Sequence, residues 1–312
     1  MNSINHFDAI VIGAGPAGLT AGIYLSRARL KTLIVSDGAV GGQMILTHAI
    51  ANYPGVEDIN GYQLANIMKK QAKTFGCTIK SNNSIQNYQL EGSVKSITLD
   101  DGIQYTSNAI VLASGGRSRQ LNVPGENRFK GKGISYCATC DGDFFTGKEI
   151  VVVGGGNSAL EEAVSLTKYA TKVTIVHQFD NFQAFEYAIE EARNNPKINF
   201  KLESAITEFY GNENLEGVAI KNLKTGKTEN FKTDGVFIFI GYLPNTEYLD
   251  NIIELNERKE ILVNNSMSTN VEGVFAAGDS VAKLYRQITT AVSDGTIAAL
   301  AAANYINQVD KN

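Results

Sequence analysis

Three observations predict an α/β fold made of two like units. First, the stretch 7–35, FDAIVIGAGPAGLTAGIYLSRARLKTLIV, reads as strand, glycine turn, helix, strand. Second, the stretch 147–178, GKEIVVVGGGNSALEEAVSLTKYATKVTIVHQ, repeats that order. Third, the chain has 312 residues, 43% hydrophobic and 19% charged, which is enough for two cores. A short apolar strand running through a glycine turn into a helix is the opening of a dinucleotide-binding βαβ unit. The prediction is therefore two Rossmann-like dinucleotide-binding domains. A solenoid is excluded, because its repeats are far shorter than the spacing between Gly13 and Gly154.

In the first unit a strand is expected over 9–12 and a helix from Ala17 to about Arg29. A second strand is expected over 31–35. Gly13, Gly15 and Gly18 are spaced G-x-G-x-x-G, with Pro16 and Ala17 inside the pattern. The first glycine permits the sharp turn, the second lets a pyrophosphate approach the backbone, and the third lets helix and strand pack closely. The free N–H groups of the helix start then face the phosphate. Where an acidic ribose ligand often ends the second strand, this chain has Ser36; Asp37 is close and is not assigned that role. In the second unit the strand is 149–153, the turn is Gly154, Gly156 and Ala159, the helix is about 158–169 and the next strand is 172–176. A third stretch, VEGVFAAGDSV (271–281), ends a short strand at Gly278–Asp279, where a carboxylate can accept hydrogen bonds from a ribityl or ribose hydroxyl. TIAALAAANYI (296–306) reads as a helix rich in small residues, suited to close packing.

The bulk numbers narrow the function. A net charge of −4 and the lack of any basic run give no reason to expect nucleic acid. No basic leader precedes the first apolar run and no stretch of about 18 apolar residues is uninterrupted, so neither a secretory signal nor a membrane span is expected, and the expected location is cytoplasmic. Thirty glycines against five prolines indicate tight turns and close backbone contacts. Two of the three cysteines, Cys137 and Cys140, form a C-x-x-C pair followed by Asp141. Such a pair closes a small disulfide and reduces another through thiolate attack, with the neighbouring sulfur resolving the mixed disulfide. Asp141 is expected to carry the protons. Zinc needs four ligands. One spare cysteine, Cys77, and histidines scattered at 6, 48 and 177 do not supply them, so no metal is expected. Cys77 is expected to be a buried core thiol, and His6 and His48 surface or packing residues.

Taken together, GAGPAGLTAGIY (13–24), GGQM (41–44), ANYPG (51–55), CATCDG (137–142), GGGNSALEEA (154–163), GVFAAGD (273–279) and RQITTA (286–291) resemble the low-molecular-weight thioredoxin reductase family of flavoproteins over nearly the whole chain. CATCDG is the most specific of these. The resemblance implies a discontinuous FAD-binding domain, 1–117 with 246–312, and an inserted pyridine-nucleotide-like domain, 118–245, that holds the C-x-x-C. It implies FAD contacts from Gly42, Gln43, Asn52, Gly278, Asp279, Arg286 and Gln287 in addition to the first glycine loop. It assigns Asp141 the role of acid, and implies thioredoxin as electron acceptor and a homodimer. It also implies a domain rotation, with links near 116–120 and 242–246. A non-catalytic redox sensor is the contrasting class, separated by whether thioredoxin disulfide is turned over. Oxidase-type relatives lack a C-x-x-C at this point.

The departure from the family lies after the second strand of the second unit. NADPH-using members have H-R-R-x-x-x-R there; this chain has VHQFDNFQAF, with His177 kept but Gln178, Phe179 and Gln183 at the arginine positions and Asp180 nearby. A charge-assisted hydrogen bond contributes roughly 1.5–3 kcal/mol, and about 1.4 kcal/mol is tenfold in affinity. Tight NADPH binding is therefore not expected. The chain resembles most the ferredoxin-dependent flavin thioredoxin reductases, so ferredoxin is the expected donor, with NADH or NADPH as the alternatives.

Overall fold

The computed structural model describes residues 5–47, 50, 52–57, 59–249 and 251–309; His48 lies outside them. Contacts divide the chain into two compact units, Met1–Arg117 with Leu243–Asn312, and Ser118–Tyr242.

The first unit begins with β1 (Asn5–Ile12), α1 (Pro16–Arg27) and β2 (Thr32–Ser36), then α2 (Gly61–Thr74), β3 (Thr78–Ser81), β4 (Ile85–Gln89), β5 (Lys95–Leu99) and β6 (Gln104–Leu112). The sheet order is β3-β2-β1-β6-β5-β4. β1, β2, β3 and β6 are parallel, β5 is antiparallel to β6, and β4 is antiparallel to β5. Strands buried on both faces read as continuous apolar runs, which is why AIVI and TLIV were legible: Ile10, Val11, Leu33, Ile34 and Val35 are fully buried. α2 opens with a capping box, Asn60 accepting from the Gln63 amide while the Gln63 side chain accepts from the Asn60 amide. Cys77, just before β3, is a free buried thiol, as expected; burial pushes it up to about 11. His6 is exposed and meets Thr106.

The chain leaves this unit through β7 (Gly116–Ser118) and enters the second through α3 (Glu126–Phe129), β8 (Ile134–Ser135), α4 (Ala138–Asp141), β9 (Glu149–Val153), α5 (Asn157–Leu166), β10 (Lys172–Val176), α6 (Glu186–Asn194) and β11 (Ile198–Lys201). β12 (Ser204–Gly211), β13 (Leu215–Asn222) and β14 (Thr228–Lys232) form an antiparallel meander, and β15 (Gly235–Ile238) rejoins the parallel sheet in the order β11-β10-β9-β15-β8. The chain returns through β16 (Tyr242–Pro244), paired with β7, to β17 (Val274–Ala276) and α7 (Ile288–Val309). One edge of β6 serves two neighbours along its length: Ser107 pairs with Lys95 of β5, and Ile110 with Val274 of β17.

Asn245 belongs with the first unit for a local reason. Its side-chain amide donates to the Ser114 carbonyl, its own carbonyl accepts from the Ser114 hydroxyl, and its Oδ1 accepts from Arg117. In the second unit the entering chain is anchored by Glu126, which is 2% exposed and accepts from the Leu121 and Asn122 amides and the Tyr136 hydroxyl. Glu126→Gln puts an NH2 donor against one of these donors. It is expected to cost the second unit about 1–3 kcal/mol and to speed exchange of the Leu121 and Asn122 amides, read by hydrogen exchange.

Candidate active site

The first glycine loop has the geometry its spacing requires. Gly13 has φ +110°, and a Cβ there would lie 2.1 Å from the Ala113 carbonyl oxygen. A Cβ on Gly18 would lie 1.9 Å from the Gly13 oxygen, so α1 sits directly on the turn. Gly15, by contrast, faces open space within 4 Å. It is the N-cap of α1, Pro16 begins the helix, and the first turn contains no acidic residue. The missing N–H of proline costs nothing at that position, and the helix N-terminus keeps its positive end unneutralised.

The other residues expected in this unit gather on the same structure. A Cβ on Gly42, which starts a 3-10 turn Gly42–Leu46, would meet the Gly15 Cα at 3.2 Å. Gln43 is exposed beside it. A Cβ on Gly278 would meet the Ala17 Cβ at 2.8 Å, and one on Gly295 would meet the Ala17 oxygen at 2.2 Å. Asn52 donates to Gln287 at 3.4 Å, across 235 residues of sequence. Arg286 pairs with Glu260 and reaches the Asp279 carbonyl at 3.4 Å. Asp294, paired with Lys283, accepts the Gly278 amide at 3.1 Å.

Asp279 itself is telling. Its Oδ1 is buried with no hydrogen-bond partner, and burial pushes its carboxyl above the usual range against the pull of Lys283 and Arg286. An unmet buried acceptor carries a cost that a ligand hydroxyl would remove. Together with an open glycine turn at a helix N-terminus, it fits a dinucleotide with a polyol or ribose hydroxyl. Lys283, Asp294, Glu260 and Gly295 were not singled out from the sequence, because only the folded chain brings them to the turn.

In the second unit Cys137 and Cys140 are joined in a disulfide. Cys137 caps α4, its sulfur accepting from the Cys140 amide at 3.2 Å. Asp141 ends α4 and accepts from the Ser135 hydroxyl at 2.6 Å. The segment is held from behind: a Cβ on Gly142 would be 3.1 Å from the Tyr169 ring, and Phe145 packs edge-on against Phe237 at 5.1 Å. Cys137, Cys140 and Asp141 are each half-buried.

The second glycine loop is also formed, with Gly154 at φ +139° and Gly156 capping α5. Its surroundings differ from those of the first. A Cβ on Gly155 would meet the His177 ring at 2.3 Å. That ring stacks on Phe182 with centroids 5.6 Å apart, and burial pushes its pKa down. The Gln183 amide donates to the Gly155 oxygen at 2.8 Å, so 177–183 folds over the loop. Lys201, opposite Val176 in the sheet register, is held by Glu229 at 2.6 Å.

The pyridine nucleotide-disulphide oxidoreductase family model matches residues 7–295. The chain is 44% identical over 309 residues to the thioredoxin reductase of Peptoclostridium acidaminophilum, covering 97% of this chain and 98% of that one. It is 43% identical over 306 residues to the thioredoxin reductase of Bacillus subtilis, with 98% and 96% covered. The solved thioredoxin reductase of Streptococcus pyogenes superposes with a TM-score of 0.93 at 38% identity, covering 98% of this chain and all of that one. None of these matches bears out a ferredoxin donor. The α/β fold, the disulfide-bonded C-x-x-C pair and the alignment over nearly the whole length lead to one assignment: the chain belongs to the pyridine nucleotide-disulphide oxidoreductases, among the low-molecular-weight thioredoxin reductases, FAD flavoproteins that act on disulfides.

Proposed function

We propose that this protein reduces the disulfide of thioredoxin through Cys137 and Cys140, drawing electrons from a pyridine nucleotide that lacks a 2′-phosphate. The observation that carries the reading is the Cys137–Cys140 disulfide on a capped turn with Asp141 at its end. FAD would be held by Gly13, Gly15, Pro16, Ala17 and Gly18 at its diphosphate and by Asp279 at a hydroxyl, with Gly42, Gln43, Asn52, Gly278, Arg286 and Gln287 completing the site. Bound FAD supplies the two electrons that open the disulfide. The chain's own residues do the rest. One thiolate attacks a sulfur of the thioredoxin disulfide and forms a mixed disulfide; the other thiol displaces thioredoxin and recloses the pair. Two protons leave the enzyme dithiol as two are gained by thioredoxin, and Asp141 is the group placed to carry them. We further propose a homodimer as the working form.

For the donor, membership of the pyridine nucleotide-disulphide oxidoreductases favours a pyridine nucleotide over ferredoxin. The stretch 177–183 has no lysine or arginine, and Lys201 is already paired with Glu229. A 2′-phosphate would meet Asp180 with no cation from that stretch to offset it, which favours NADH over NADPH. The same lack of cations supports a second reading, reduced ferredoxin as donor. Anaerobic bleaching of the flavin by NADH, NADPH and reduced ferredoxin separates these. NADH is expected to bleach at concentrations at least about tenfold below those needed with NADPH, because a 2′-phosphate desolvated beside Asp180 without a cationic partner carries a cost of about 1–3 kcal/mol or more. Bleaching by ferredoxin with neither nucleotide active would move the donor to the second reading.

A further inference from the structure

Asp141 can carry protons only if it is held in place in both its charged and its neutral form. The structure offers a group suited to that. Ser135, the last residue of β8, is 5% exposed. Its Oγ accepts the Cys137 amide at 3.0 Å and donates to Asp141 Oδ2 at 2.6 Å. A second acceptor, the Cys137 carbonyl, lies 3.3 Å from the same Oγ. A hydroxyl has one proton and two lone pairs. With Asp141 ionised, the proton points to the carboxylate and one lone pair takes the Cys137 amide. With Asp141 protonated, the carboxyl donates to the second lone pair and the hydroxyl proton turns to the Cys137 carbonyl. Every polar group keeps a partner in both states, and only a hydroxyl rotor has changed.

We propose that Ser135 is a positioning residue for the disulfide reaction, a two-state hydrogen-bond partner that keeps Asp141 fixed to the cysteine turn while Asp141 passes a proton to a thiolate. In that step the carboxyl O–H bond breaks and the S–H bond forms, with no change of oxidation state. The inference rests on Asp141 being the proton carrier. Three ionisable neighbours on the surrounding elements have settings of their own. Tyr136 is committed to Glu126, with burial and that carboxylate pushing its hydroxyl well above the usual phenol range; Asp143 is exposed on the next turn, and Tyr169 lies against Gly142.

The test is a double-mutant cycle on the flavin-loaded enzyme, with kcat and KM for thioredoxin measured separately. Ser135→Ala is expected to lower kcat by about ten- to a hundredfold, the range of one hydrogen bond to a charged group, with KM unchanged. Ser135→Thr, which keeps the hydroxyl, is expected to restore it. In an Asp141→Asn background Ser135→Ala is expected to add nothing, because the two residues act as one unit. Additive losses, or a kcat indifferent to Ser135→Ala while Asp141→Asn is impaired, overturn the role of Ser135. Full turnover in Asp141→Asn overturns the carrier role and the proposal with it. If the extra methyl of Thr lowers the melting temperature, the cycle alone decides.

Discussion

Replacing either Cys137 or Cys140 with serine is expected to abolish thioredoxin turnover while leaving the flavin bound. The loss should be at least about 10³-fold, and the double variant should be no worse than either single one, since residues that act as a unit lose their effect together. The reason lies in exchange chemistry. A lone thiolate can attack a disulfide, but without a neighbour it cannot resolve the product. One single variant should therefore trap a stoichiometric mixed disulfide with thioredoxin, visible on a non-reducing gel, and so identify the attacking sulfur. The fold should survive, because a serine Oγ at 137 can accept the Cys140 amide as the sulfur does. Appreciable turnover by a single variant would remove the pair from the reaction.

The legible part of this molecule is the part whose causes are local. Gly13, Gly15 and Gly18 were readable because a turn, an open approach and a close packing each demand glycine within six residues. The strands at 149–153 and 172–176 were readable because burial on both faces leaves apolar runs. The cysteine pair was readable because its chemistry needs only three positions in sequence. What was hidden depends on distance along the chain. No local pattern announces that Asn52 meets Gln287, or that Glu260 meets Arg286. The last helix shows the limit from the other side. The helix expected there starts only at 296. In fact it runs from Ile288, through Asp294 and Gly295. Asp294 is spent on Lys283 and the Gly278 amide, and Gly295 is small because the Ala17 carbonyl lies against it. Residues that would signal a break are there for tertiary contacts, and packing outweighs their weak intrinsic preference.

Gly15→Ala is expected to strip FAD from the protein while weakening the protein itself only slightly, and the contrast with Gly13→Ala makes the result specific. At Gly13 the backbone has φ +110°, and an added Cβ would lie 2.1 Å from the Ala113 oxygen, whose own amide is bonded to the Ile12 carbonyl. Alanine there strains a conformation that L-residues rarely adopt, at about 1–3 kcal/mol, and pushes on the sheet as well, so both the apoprotein melt and the flavin content should fall. Gly15 is different. Its φ of −75° and ψ of −175° are extended backbone open to any residue, and its Cβ would meet no protein atom within 4 Å. The apoprotein loses only the N-cap preference for glycine over alanine, about 0.5–1 kcal/mol, and meets no clash. If the space beside Gly15 is where the diphosphate lies, the methyl overpacks that contact by about 1–3 kcal/mol, roughly five- to 150-fold in Kd. The measurements are bound FAD per chain and the melting temperature of the apoprotein. Unchanged flavin content in Gly15→Ala would place the cofactor's diphosphate elsewhere, whereas an apoprotein melt that falls as far as that of Gly13→Ala would show that the open space is needed by the fold rather than by the ligand.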